Sequence, residues 1–310
     1  MNSYRVFDSH CDTATELWRK KESLQTNSCM VSLDQTKELA GYGQFFAFCT
    51  TGYAGYTPEQ LLYGPWNLMK QQLEHMSNAR LCGSMSEYDL AMEQRQTAVF
   101  FSLEGAEGIL CDPGRLEQLY DMGVRMTTLT WNFNNALAGC AKEDGGGLTA
   151  AGKEFVRRAQ KLGIIIDVSH ISDRAFWDII DLTERPIVAS HSNSRHRCKH
   201  FRNLTDEQYL AICETGGYAG INLYSRFLSE DGAADFETVY SHMDHFLQIG
   251  GSHVALGGDL DGCDRLPDGF LRVKDYQKLA AFLERKGFSA STIQTIYSDT
   301  MEKVVKLCIT

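Results

Sequence analysis

Eight short runs rich in β-branched and aromatic residues recur along this chain, at 4–9, 44–50, 98–103, 125–130, 164–169, 187–190, 218–222 and 254–258. Each is bounded by turn chemistry and followed by apolar residues at helical spacing. Thr57-Pro58-Glu59-Gln60 puts a proline at the first helical position behind a threonine cap, and Thr205-Asp206-Glu207-Gln208 reads as a capping box. Ser172 is placed to cap a third helix carrying Ala175, Phe176, Ile179 and Ile180, and two last helices, at 275–285 and 289–307, meet at a Lys286-Gly287 stop. Strands that alternate with helices pair in parallel, because a parallel neighbour is reached only through a crossover. No repeat, low-complexity tract or Pro/Ser-rich linker divides the 310 residues. The expected fold is therefore α/β, a single (β/α)8 TIM barrel over 1–310, with a doubly wound open sheet as the competing layout. The barrel is favoured because polar residues stand at the C-terminal ends of many different strands, and a barrel brings those ends to one mouth.

The formal charge of −10 repels phosphate backbones and anionic headgroups, so neither nucleic acid nor a membrane surface is expected as a partner. No stretch approaches the roughly 18–20 apolar residues of a spanning helix. The start, MNSYRVFDSHCD, lacks the basic and apolar regions of a signal peptide, and a cytoplasmic protein is expected. Ten cysteines, scattered singly with no C-x-x-C spacing, read in a reducing compartment as small buried hydrophobes. Cys11 lies between His10 and Asp12, but no helix start or basic neighbour is evident there to lower its pKa.

The chemistry-bearing residues fall at strand ends. His10 and Asp12 have the period of two that turns both side chains to one face of an extended segment, where imidazole and carboxylate together can chelate zinc or a related ion. Alone, H-x-D also fits a solvated turn. Phe101-Ser102-Leu103-Glu104-Gly105 delivers one carboxylate from an apolar strand, and burying Glu104 demands a cation, a hydrogen-bond network or a proton. An arginine partner would serve as well as a metal. Two apolar strands each end in Ser-His, giving His170 and His191, and their recurrence is a sharper signal than either histidine alone. At 254–262 the last strand runs into Gly257-Gly258-Asp259-Leu260-Asp261-Gly262, where Asp259 is placed to move a proton and Asp261 reads as a turn residue. His75, His242 and His245 lie in polar helical stretches and are expected to be solvated, whereas Phe45, Phe46 and Phe48 read as core. Asn222 and Tyr224 are candidates for the pocket wall.

Seven blocks in order, DSHCD, SLEGAEG, TLTWN, IIDVSHIS, IVASHSNS, FRNLTD and ALGGDLDG, make this chain resemble the membrane dipeptidase (renal dipeptidase) family of zinc peptidases, within the amidohydrolase-like barrels. The resemblance implies a metal-dependent hydrolase with two Zn2+ per chain. His10 and Asp12 would hold one zinc, His170 and His191 the other, and Glu104 would bridge them. It places substrate binding on Arg202 and Asp259, with Glu104 and Asp259 as the catalytic residues. The implied substrate is a dipeptide with a free C-terminal carboxylate, which a bidentate arginine suits. Tolerance of a C-terminal D-residue and hydrolysis of some β-lactams follow from the same resemblance. Dimerisation is common in the family, so a homodimer is one expected assembly. Mammalian members carry T-L-T-H where this chain has Thr128-Leu129-Thr130-Trp131. An indole offers one N–H donor in place of an imidazole, which leaves Trp131, Asn132 or Asn134 as the polar contact to substrate. Two alternatives stand beside the dipeptidase: an amidohydrolase acting on a cyclic amide, ester or β-lactam, and a catalytically silent peptide-binding barrel.

Overall fold

The computed structural model describes residues 3–143 and 145–309. Its strands are β1 (Val6–Cys11), β2 (Tyr42–Cys49), β3 (Ala79–Leu81), β4 (Thr97–Glu104), β5 (Val124–Thr128), β6 (Ile165–Asp167), β7 (Val188–Ala189), β8 (Tyr218–Ile221) and β9 (Val254–Leu256). Eight of them pair in parallel around a closed circuit, β1–β2–β4–β5–β6–β7–β8–β9 and back to β1, so the fold is the (β/α)8 barrel. All eight expected strands are present. The ninth, β3, pairs only with Thr97–Val99 at the entry half of β4, and its three residues are too few to leave a sequence pattern.

Around the barrel run α1 (Thr13–Lys20), α2 (Leu33–Thr36), α3 (Pro58–Leu73), α4 (Met85–Glu93), α5 (Leu116–Asp121), α6 (Ala150–Leu162) and α7 (Asp173–Ile180). They are followed by α8 (Asp206–Glu214), α9 (Ser225–Leu228), α10 (Phe236–Gly250), α11 (Tyr276–Arg285), α12 (Ala290–Gln294) and α13 (Thr300–Cys308). The caps lie where the sequence puts them. Thr57 and Gln60 form the box on α3, Thr205 and Gln208 the box on α8, and the Ser172 hydroxyl accepts from the Ala175 N–H to start α7. Gly287, at φ +96°, takes the left-handed conformation that stops α11. The last helical stretch differs from the single helix expected: a π-helical turn over Thr295–Asp299 separates α12 from α13. No described helix is long and apolar enough to cross a membrane.

Inside the barrel, Phe7, Phe45 and Phe100 stack with ring centroids 4.9–6.1 Å apart, and Met126, Ile165, Val188 and Tyr218 complete the layer. Met301, Val304 and Val305 of α13 belong to the same buried cluster and close the barrel below it. The residues singled out above for chemistry lie at the opposite end. The strands are pressed together there: a Cβ on Gly257 would lie 1.8 Å from the Ser190 carbonyl oxygen, and one on Gly220 2.0 Å from the same atom.

His242 and His245, expected to be solvated, are both buried in α10; His75 is exposed beyond the end of α3. The helical periodicity turns both inward, and each finds polar partners. His242 Nδ1 accepts from the Ser194 N–H at 3.1 Å, and its Nε2 donates to the Leu228 carbonyl at 2.9 Å, so the neutral ring is satisfied on both sides. Burial, aided by the Arg197 and His245 charges and opposed by the Leu228 bond, holds its pKa down at about 4. The unfolded chain, with an ordinary histidine near 6.5, binds this proton more readily than the native state. Stability contributed by neutral His242 is therefore complete above about pH 6.5 and is lost as pH falls toward 4. Denaturant unfolding of His242→Gln against the parent should show a smaller loss between those pH values, by an amount on the order of 1–3 kcal/mol; equal pH slopes would refute it.

Candidate active site

Five strand ends converge at the barrel mouth. His10 lies within β1 and Asp12 just after it, Glu104 is the last residue of β4, and His170, His191 and Asp259 follow β6, β7 and β9. All six are buried, none more than 8% exposed. Glu104 Oε1 is their centre, 3.0 Å from His170 Nε2, 3.5 Å from His191 Nε2 and 3.8 Å from His10 Nε2. On the far side of His10, its Nε2 lies 3.5 Å from Asp12 Oδ2 and 3.9 Å from Asp259 Oδ1. The fold therefore brings together the six residues that the sequence names: Glu104 groups with His170 and His191, and His10 with Asp12 and Asp259.

The hydrogen bonds around the imidazoles assign their tautomers. Ser190 Oγ donates to Asp167 and must therefore accept from His191 Nδ1, 2.7 Å away. His170 Nδ1 donates to Asn132 Oδ1 at 3.1 Å. Both rings thus carry the proton on Nδ1 and turn Nε2 lone pairs inward, where the two nitrogens stand 2.9 Å apart. Facing lone pairs at that distance repel unless a cation stands between or beside them. His10 Nε2 and Asp12 Oδ1 are buried with no hydrogen-bond partner among the described residues. Three buried carboxylates, inward lone pairs and orphaned ligand atoms fit metal ions; imidazole nitrogen with carboxylate oxygen is a zinc-type donor set.

The electrostatics agree. Burial, with the Arg202 and His10 charges, holds His170 and His191 well below the usual histidine range, keeping both neutral as ligands must be. Burial also opposes a charge on His10, but Glu104, Asp12 and Asp259 outweigh it and raise the ring to about 10. Glu104 is pushed up to about 8, by burial and the Asp12 carboxylate against the pull of His10. The site therefore attracts positive charge, which protons supply where metal does not.

Two aspartates that the sequence pattern does not single out hold this set in place. Asp8 accepts from the His10 and Gly258 N–H groups at 2.9 and 3.1 Å and from the Tyr276 hydroxyl. Asp167 accepts from the Ser169 and Ser190 N–H groups, both at 2.9 Å. Each stands two or three residues before a histidine of the cluster, in D-S-H and D-V-S-H, the one signal that points to them. Cys11 is structural: fully buried, with burial raising its thiol well above the usual range.

A pocket of about 270 Å³ opens onto the cluster, walled by Tyr53, Trp131, Asn132, Tyr224 and Phe227. Trp131 lies over Gly52, where a Cβ would come within 2.6 Å of the indole, and tilts onto the His170 ring at 6.2 Å. Asn132 lines the pocket with its amide oxygen committed to His170. Asn134 is bound instead to the Cys140 N–H and does not reach the wall. Asn222 does not line it either; its Nδ2 donates to Asp259 Oδ2 at 3.0 Å. Arg202 is buried in a crevice beside His170, its Nε without a partner and its guanidinium 5.5 Å from the Phe227 ring centroid. Burial lowers its pKa to about 10, against Asp259, Glu104 and Asp167, which favour the charge.

A family profile described as membrane dipeptidase (peptidase family M19) matches residues 1–308. An uncharacterized protein from the pqqA 5′ region of Klebsiella pneumoniae is 33% identical over 262 residues, 80% of this chain and 96% of its own. An uncharacterized dipeptidase of Schizosaccharomyces pombe is 34% identical over 210 residues, 66% of this chain and 51% of its own. Among solved structures, dipeptidase AC, a metallopeptidase of family M19, superposes with a TM-score of 0.92 at 24% identity over 99% of both chains. A metallopeptidase from Rhodobacter sphaeroides, liganded with a phosphinate mimic of the dipeptide L-Ala-D-Ala, gives 0.89 at 24% identity, covering 99% of this chain and 100% of that one.

The Ser190 hydroxyl fixes the His191 tautomer while remaining outside the donor set. Ser190→Ala should weaken metal binding by about 10- to 100-fold in competition with a chelator, with circular dichroism unchanged. Parental affinity in this variant would show that the hydroxyl has no hold on the metal.

Proposed function

Because the chain belongs to the membrane dipeptidase family, peptidase family M19, and is thus a metallopeptidase that hydrolyses a peptide bond, we propose that it is a dinuclear zinc dipeptidase acting on dipeptides with a free C-terminal carboxylate. The observation that carries this reading is the shared carboxylate: Glu104 Oε1 lies within 3.0–3.8 Å of three imidazole nitrogens drawn from two groups. His10 and Asp12 would hold one zinc, His170 and His191 the other, with Glu104 between them. When bound, such a pair polarises the scissile carbonyl and lowers the pKa of an attacking water toward neutrality.

The protein's own groups supply the rest. Asp259 is anchored at Oδ2 by Asn222, which leaves Oδ1 facing the cluster to take the proton of the attacking water and pass it to the leaving amine. Burial, reinforced by Asp12 and opposed by His10, raises its pKa to about 6, nearer the working range of a proton carrier than an ordinary aspartate. Arg202 grips the substrate carboxylate: a buried guanidinium with an unpaired Nε is a cation that gains most from a bidentate anion. A carboxylate fixed at that end sets the distance to the scissile amide, so the site measures length and rejects longer peptides. Trp131 and Asn132 close the pocket against water beside His170, and a volume of about 270 Å³ suits two small residues. The L-Ala-D-Ala mimic bound by the Rhodobacter sphaeroides enzyme supports acceptance of a C-terminal D-residue here. Ten unpaired cysteines suit a reducing, cytoplasmic setting.

The zinc-loaded protein should hydrolyse L,L- and L,D-dipeptides, and fail on C-amidated dipeptides and tripeptides. Arg202→Met should lower kcat/KM by about 100-fold or more while leaving the metal content intact. Turnover indifferent to the carboxylate would replace this reading with a cyclic-amide or ester hydrolase, and tight peptide binding without turnover would replace it with a silent binding barrel.

A further inference from the structure

A second cluster of metal-capable side chains lies outside the mouth. His196 comes from the connection between β7 and α8, Asp206 is the first residue of α8, and His245 projects from the middle of α10. His245 Nε2 is 2.8 Å from Asp206 Oδ1, and the His196 and His245 rings stack with centroids 4.5 Å apart and planes 6° from parallel. One ligand atom from each lies within 4.8 Å of the other two. We infer that these three residues form a further divalent-cation site, distinct from the catalytic cluster, for zinc or a similar borderline transition ion.

Ligand bonds to zinc of about 2.0–2.2 Å place neighbouring ligand atoms about 3.3–3.6 Å apart in a tetrahedral site, so His245 and Asp206, hydrogen-bonded at 2.8 Å, need open by less than about 1 Å to admit an ion in place of the shared proton. The bond between those two explains only part of the arrangement. Stacked parallel, the His196 ring keeps a ligand nitrogen within 4.8 Å of both partners but directs its lone pair alongside theirs, so it joins them on one ion by rotating out of the stack; two nitrogens with one oxygen then make the set that such ions prefer. His196 is exposed and free to swing by a rotamer, whereas His245 is held by the helix. An ion has a route in, because His196 and Asp206 both border an open surface depression of about 530 Å³. Of the neighbouring cations, Arg195 is neutralised by two hydrogen bonds to Asp173 at 2.8 and 2.9 Å, and Lys199 borders the depression together with the Glu207 carboxylate.

The site lies on a segment that matters to the mouth. Arg195 N–H donates to the Leu204 carbonyl, and Leu204 N–H to that of Asn193, both at 2.8 Å, so His196 starts a turn whose returning arm carries Arg202. An ion shared by His196, Asp206 and His245 would fasten this turn to α8 and α10 and stiffen the approach to Arg202.

Calorimetric titration of zinc into holoenzyme, with the catalytic ligands already saturated, tests this independently of any substrate. The expected result is one additional equivalent at micromolar affinity, weakened at least about 10-fold in His196→Ala and in His245→Gln and retained in His75→Ala. Hydrogen exchange of amides 196–201 should slow on adding that equivalent to the parent, but not to His196→Ala. The exposed position of His196 keeps its variant folded. No additional equivalent up to millimolar zinc, or one that His196→Ala binds as tightly as the parent, would overturn the inference.

Discussion

The mouth of this barrel concentrates three carboxylates and three imidazoles where almost no water reaches them. Buried charge of one sign is tolerable only if something neutralises it at short range, and unpaired carboxylates would otherwise take up protons. The upward shifts of Glu104 and Asp259 and of the His10 imidazole are three expressions of that one demand. Much of the surrounding structure serves it. The aromatic layer of Phe7, Phe45 and Phe100 shuts the lower barrel to solvent, while Asp8 and Asp167 direct their own charges at backbone N–H groups. Those two aspartates thus orient the strand ends that carry the clustered residues.

The clustered residues themselves are legible in the amino-acid sequence, for a physical reason. In a parallel barrel each strand ends at the same rim, so a polar residue just past an apolar run is already placed. His10, Asp12, Glu104, His170, His191 and Asp259 all follow that rule. The eight strands and the three capped helices are legible on equally local grounds, since capping and alternation act within a few residues. Partners brought together by closure are not. Asp8 meets Gly258 and Tyr276 across 250 and 268 residues of chain, and nothing near position 8 records it. His242 and His245 sit in a stretch of polar composition, yet the face they occupy turns inward against Ser194 and Asp206. The π-helical turn at Thr295–Asp299 likewise leaves no mark in a sequence that reads as continuous helix.

Rigidity is distributed unevenly across the site. The clustered side chains leave strand ends and are held by chains of buried partners, as His191 is through Ser190 and Asp167. The pocket wall comes instead from connections: Tyr53 after β2, Trp131 after β5, Tyr224 and Phe227 after β8. Loop residues of the wall are seated by one another, and the tryptophan at 131 shows how. Its indole is accommodated because position 52 has no Cβ to collide with it, so the wall is built as a pair while His170 keeps its bond to Asn132. The polar cluster therefore resides in the strand ends and is readable from them. The wall resides in the loops, where the size of one residue is set by its neighbour across the pocket and by no rule of periodicity.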